Sequence, residues 1–176
     1  MTMAIQRVPT IDELDVIAPG AFAAAVAPLF EGAPRFLGRL AMARPFGTMD
    51  ELFANARRIA HSMPEDEQVE LADAHPRLGA RPDSVSAMSY REQGYDRGAA
   101  AHLDVATELE RLNDAYEMRF GFRYCVFVAG RPRDALLPDM EAALGQDRAS
   151  ELHRALDAVI DIARDRYAKL SAEEDA

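Results

Sequence analysis

The chain has a single cysteine, Cys125, in 176 residues. No internal disulfide is available, so the fold must be held by its own core, and the composition suits a reducing compartment. No run of about eighteen apolar residues exists, and the opening MTMAIQRVPT lacks the hydrophobic stretch of a secretory signal. The closing SAEEDA is not a peroxisomal tripeptide. A cytoplasmic protein with no membrane partner is the expectation. Lysine and arginine form no run, and the net charge is −10, which argues against nucleic acid and anionic surfaces as partners. The same acidity means that a site for an anionic molecule needs arginine locally. Repeats, low-complexity tracts and interior linkers are also missing, so residues 1–176 read as one domain, with a core over about 10–170 and a frayed acidic tail past Ser171. His61, His102 and His153 pair with no second histidine or cysteine at ligand spacing. They read as surface or structural residues, and no metal is expected.

What the chain does contain is helix signals. Thr10 is placed to cap IDELDVIA, the Ala-rich AFAAAVAPLF follows Pro19, and Pro34 opens RFLGRLAMAR. Thr48 and Glu51 form the pattern of a capping box ahead of a three-four apolar repeat. Pro64 separates that helix from one whose first turn is Glu65, Asp66 and Glu67, where the dipole favours negative charge. Residues 75–88 carry prolines, a glycine and serines and read as loop. A short helix is expected from Ser89, a long one over about 99–119 ending at Gly121, another over 134–144, and a last one from an Asp147 cap to about Leu170. Residues 124–128 are the one strand-like run, and with no partner strand they read as a buried extended segment. The pattern predicts an all-α bundle of about eight helices.

Two short strings stand out within the loop region: His75-Pro76-Arg77-Leu78-Gly79 and Ser89-Tyr90-Arg91-Glu92-Gln93. Histidine titrates near neutrality, so an imidazole and a carboxylate form a minimal kit for moving protons. Each string also has a bland explanation. A protonated His75 could close a helix C-terminus ahead of Pro76, and Ser-x-x-Glu is itself a capping box. In the last helix, Arg166 falls about 55° from the centre of the apolar stripe and Arg164 about 105° away, at 100° per residue. Arg166 therefore faces the interior boundary and needs an anion, either a structural carboxylate or one on a ligand.

Taken together, AHPRLG, SYREQG and RLNDAYEMRFGFRYCVFVAGR resemble the cofactor-independent OHCU decarboxylases of urate degradation, over roughly residues 10–170. The resemblance implies removal of CO2 from 2-oxo-4-hydroxy-4-carboxy-5-ureidoimidazoline (OHCU) to give (S)-allantoin, with no cofactor, in a homodimer. It implies that His75 is the general acid–base residue and that Pro76 lies against the substrate ring. Ser89, Glu92 and Gln93 fall on the family's Ser-x-x-Glu-Gln motif, and Tyr90 and Arg91 join the substrate-binding set. Tyr124, Cys125, Val126, Phe127 and Val128 would offer backbone groups to the ring and ureido arm. Arg166, followed by an apolar residue, matches the family's last-helix arginine as a carboxylate clamp. Arg123 departs from the family's Phe-Gly-Phe-Pro-Phe by replacing the proline. Two other readings stand beside this one: a decarboxylase or hydrolase of a related ureide on the same scaffold, and a non-enzymatic helical interaction module.

Overall fold

The computed structural model of the protein describes residues 8–80, 82–94 and 103–174. Among these every regular element is helical, as the all-α expectation requires. Helix α1 (Ile11–Val16) begins at a complete capping box: Thr10 accepts from the Glu13 N–H, and Glu13 accepts from the Thr10 N–H. Pro19 opens α2 (Pro19–Phe30) and Pro34 opens α3 (Pro34–Met42), where a missing N–H loses no helix bond. Thr48 caps α4 (Met49–Ser62) by accepting from the Glu51 N–H. After Pro64, α5 (Glu65–Asp73) keeps its three acids in the first turn, and two of them also meet arginines of α3: Asp66 pairs with Arg35 and Glu67 with Arg39.

The second half contains a 3-10 turn at Pro82–Ser84, α6 (Ala87–Glu92), α7 (Leu103–Phe120), a 3-10 turn at Arg133–Leu136, α8 (Leu137–Ala143) and α9 (Arg148–Glu174). Three boundaries differ from the sequence expectation. Helix α6 starts two residues before Ser89 because Ser86 is its cap, accepting from the Ser89 N–H at 3.1 Å. The helix expected over 134–144 is a 3-10 turn running into α8, since Pro138 has no N–H to continue an earlier α-helix. Helix α9 continues past Ser171 to Glu174 instead of fraying, and Glu173 reaches Arg91 of α6 there. The expected start of α7 at Ala99, like His102, lies outside the described residues.

Helix α9 is the axis of the fold. Its 27 residues span about 40 Å, and Leu152, Ala155, Leu156, Val159, Ile160 and Ala163 form its buried stripe. It packs against α2, α4 and α5, while α2 lies on α3 and α7 on α8. Phe22, Phe30, Phe36, Leu40, Leu52 and Leu71 join the same apolar cluster. Each such side chain contributes roughly 1.5–3 kcal/mol on burial, which supplies the core that a disulfide would otherwise have to replace. Residues 122–128 adopt neither helix nor strand. They leave α7 at Gly121, whose φ is +77°, and end at the left-handed pair Ala129 and Gly130. Phe122 and Tyr124 pack edge-on against Tyr116 of α7, so this irregular stretch is buried as the sequence pattern requires. No described helix is long and apolar enough to cross a membrane.

Candidate active site

The loop after α5 is held at several points. Gly79 has φ +78°, and a β-carbon there would stand 2.9 Å from Leu109 Cδ1, so backbone conformation and space both demand glycine. Gln93 accepts from the Gly79 N–H at 2.7 Å and donates to the Arg77 carbonyl at 3.1 Å. Asn113 donates to the Leu78 carbonyl at 2.9 Å, and Arg77 forks onto Glu117. This rigid loop presents His75, which is 4% exposed and whose two ring nitrogens are buried without a hydrogen-bond partner. Burial, and then the positive charge of Arg166, push its pKa down to about 4 against the opposing pulls of Glu31 and of the Leu71 backbone. The imidazole is neutral at pH 7 and does not cap α5 as a cation. That place is taken by Arg123, whose guanidinium meets the carbonyls of Asp73 and His75.

Opposite lies a buried ionic cluster. Arg166 is 1% exposed and Arg164 lies at the surface, the sides that helical periodicity assigns them. The Arg166 guanidinium forks onto Glu92, with Nε donating to Oε1 at 2.6 Å and Nη2 to Oε2 at 2.8 Å. It also donates to the Pro28 carbonyl at 2.8 Å, to Glu31 at 2.9 Å and to Ser89 Oγ at 3.1 Å. The Ser89 hydroxyl donates to Glu31 at 2.7 Å. Burial raises the Glu31 carboxyl, but Ser89, Arg166 and Ser86 hold it below the usual carboxylate range. Burial likewise acts against the charge on Arg166, and Glu92 and Glu31 overcome it. The anion that Arg166 requires is thus present within the protein. The acidic chain supplies one buried arginine here, not several, with Arg91 and Lys169 at the rim.

A cavity of about 280 Å³ joins the two halves. His75, Pro76, Ser89, Arg91, Glu92, Gln93, Tyr124, Cys125, Val126, Phe127, Val128 and Arg166 all line it. Tyr90, of the expected substrate-binding set, is not among the residues that line it. Ser89 also lies inside α6, not at its cap, which frees its hydroxyl for the ionic cluster. Arg123 stands outside the cavity, behind His75. Burial pushes the Cys125 thiol up to about 12, so it is protonated and packs. Among the described residues, the backbone N–H groups of residues 124–128 have no hydrogen-bond partner, whereas the carbonyls of Cys125, Phe127 and Val128 accept from Arg154 or Arg131. A row of free donors therefore runs along residues that line the cavity.

Glu31 is the residue that reading the sequence missed. It ends α2 with φ +54°, an unfavourable conformation for a non-glycine residue, and Gly32 after it is left-handed too. The Glu-Gly pair closing an apolar helix was the available signal. Elsewhere, His61 meets Asp157 at 2.8 Å and stacks edge-on against His153. Among the described residues, no group of three or more His, Cys, Asp or Glu is placed to hold a metal ion.

Comparison with known proteins bears on this arrangement. The model of the OHCU decarboxylase family matches residues 16–168. The 2-oxo-4-hydroxy-4-carboxy-5-ureidoimidazoline decarboxylase of Haloferax volcanii is 28% identical over 94% of this chain and 98% of its own length. The uric acid degradation bifunctional protein PucL of Bacillus subtilis is also 28% identical over 94% of this chain, which matches 33% of that longer protein. A crystal structure of OHCU decarboxylase in the presence of (S)-allantoin superposes with a TM-score of 0.66 at 23% identity, over 82% of this chain and 94% of that one. A crystal structure of (S)-allantoin synthase gives 0.64 at 18% identity, over 92% of this chain and 54% of the other. The two structural likenesses establish a shared fold.

Proposed function

The chain belongs to the OHCU decarboxylase family and decarboxylates OHCU to (S)-allantoin in urate degradation; we propose that His75, Glu92 and Arg166 carry this reaction in the cavity described above. One observation supports the assignment most strongly. A neutral imidazole with both nitrogens unpartnered lines the same cavity as a buried carboxylate–guanidinium pair.

The substrate contains its own electron sink. One ring carbon, C4, carries both the hydroxyl and the carboxylate, beside C5, which bears the ureido group and the ring C=N bond. When the bond from C4 to the carboxylate breaks, its electron pair forms C4=C5. The C=N pair moves onto the ring nitrogen and, through it, onto the 2-oxo oxygen. CO2 leaves, the ring nitrogen takes a proton from solvent, and the C4 hydroxyl loses its proton as C5 gains one on a single face.

The protein's task is to orient these atoms and move that proton. Neutral His75 accepts the hydroxyl proton and returns it at C5, and its fixed position gives the S product. The free N–H groups of residues 124–128 donate to the oxygen where charge gathers, a contact worth about 3 kcal/mol per donor. Glu92, accepting from ring and ureido N–H groups, is fixed in place by the fork from Arg166. Pro76 packs on the ring, and Ser89 holds Arg166 and Glu31 in place. Gln93, whose amide is bound to residues 77 and 79, acts by fixing the His75 loop. Arg91 and Lys169 at the mouth, paired with Glu173 and Asp165, offset the carboxylates that an entering anion would meet.

Adding freshly prepared OHCU and following circular dichroism tests this reading. Rapid appearance of one allantoin enantiomer is the expected result, and racemic product at the spontaneous rate would overturn it. We also take the protein to be a cytoplasmic homodimer, a reading supported by the family resemblance and the lone cysteine. Sedimentation at micromolar concentration checks the dimer.

A further inference from the structure

We infer that Arg123 is a positioning residue for His75, which rests on the catalytic reading of His75 given above. Its position is the one where the family resemblance places a proline, and Arg123 makes two connections there that proline cannot. Its backbone N–H donates to Asp73 Oδ1 at 2.7 Å, a bond closed to a residue without an N–H. Its Nη1 donates to the Asp73 carbonyl at 2.8 Å and to the His75 carbonyl at 3.2 Å. These oxygens lie at the C-terminal end of α5, where a helix leaves acceptors unpaired and its dipole favours a cation. One side chain thus ties the chain on both sides of Ala74.

Packing and the nearby Leu71 backbone confine the imidazole itself, but the backbone that carries it has few ties. The His75 N–H meets the Ala72 carbonyl at a long 3.3 Å. Gln93 and Asn113 restrain the loop only downstream, at residues 77–79. Upstream restraint falls to Arg123. Because Arg123 does not line the cavity, its influence on the chemistry passes through the backbone it grips. A cation at the end of α5 also meets the electrostatic demand of that helix without protonating His75, which leaves the ring available to the substrate.

The test uses the full chain at saturating OHCU, with Arg123→Ala, Arg123→Lys, Arg123→Pro and His75→Ala side by side. Arg123→Ala should lower kcat about ten- to a hundredfold with KM within about twofold of the parent. Arg123→Lys, which retains a cationic donor, should recover part of the loss, and Arg123→Pro, which lacks both connections, should be at least as slow as the alanine variant. Should alanine prevent folding, Arg123→Gln keeps one donor and should show the same split with a smaller loss. A parental kcat in Arg123→Ala or Arg123→Gln, or a loss carried by KM alone, overturns the inference. If His75→Ala is inert while the Arg123 variants are normal, only the positioning role fails; if His75→Ala is active, the catalytic reading falls with it.

Discussion

Helix α9 carries two ion-paired arginines about three turns apart, the half-buried Arg154 and the buried Arg166, and their surroundings differ in what they leave open. Arg154 pairs with Glu151 one turn away, donates to the Cys125 carbonyl at 2.8 Å and lies over the Tyr124 ring, while Tyr116 donates to Glu151 at 2.7 Å. The groups in that cluster satisfy one another and border only an open surface depression. Around Arg166 the ion pairs are equally complete, but they adjoin a cavity, an imidazole with no partner and a row of free N–H groups. Buried charge alone therefore does not mark a catalytic centre. What sets the second cluster apart is polar capacity left unused beside a space that a small molecule can occupy.

The contrast is open to direct attack, and the largest effect should come at His75. His75→Ala is expected to reduce turnover about a thousandfold while the helical circular dichroism spectrum is retained; normal steady-state rates would erase the distinction between the two clusters. Next comes Arg166→Lys. Lysine cannot reproduce the planar fork onto Glu92, so kcat/KM should fall by about a hundredfold and urea unfolding should show a loss of about 3 kcal/mol.

A third effect concerns acid. His75 has a folded pKa near 4 and an unfolded value of about 6.5, so the unfolded chain takes up the proton first. Stability is full above pH 6.5 and should fall by on the order of 3 kcal/mol as pH drops towards 4. Urea midpoints across that range should show a shallower slope in His75→Ala. The smallest effect is at the first cluster: Tyr116→Phe should cost about 1 kcal/mol and leave kcat/KM per folded molecule unchanged. A large loss of activity there would mean that the Arg154 cluster also serves the reaction.

How much of this could be read beforehand depended on range along the chain. Thr10, Pro19, Pro34, Gly121 and the inward turn of Arg166 are set by neighbours within a turn or two, and the structure places each where periodicity and capping put it. The convergence of His75, Glu92 and Arg166 on one cavity was accessible only through likeness to a family, because no local rule links residues so far apart. Glu31 went unnoticed for the same reason: its tie to Arg166 spans 135 positions. Ser86 and Ser89 show a different limit. Both lie at cap-like spacing and both hydroxyls donate to Glu31, and tertiary packing decides which of them also caps the helix. Gln93 fits the family motif, yet its amide faces its own loop, a choice set by the carbonyl of Arg77 and the N–H of Gly79.

The course of α9 through the centre of the molecule has a consequence for how activity is lost. The guanidinium of Arg166 sits on the same continuous rod that α2, α4 and α5 clasp, and its partners come from α2 and α6. No fraying of a peripheral piece can release it alone. Inactivation by heat or denaturant should then track the all-or-none melting of the whole chain, leaving no window in which a loosened enzyme still turns over.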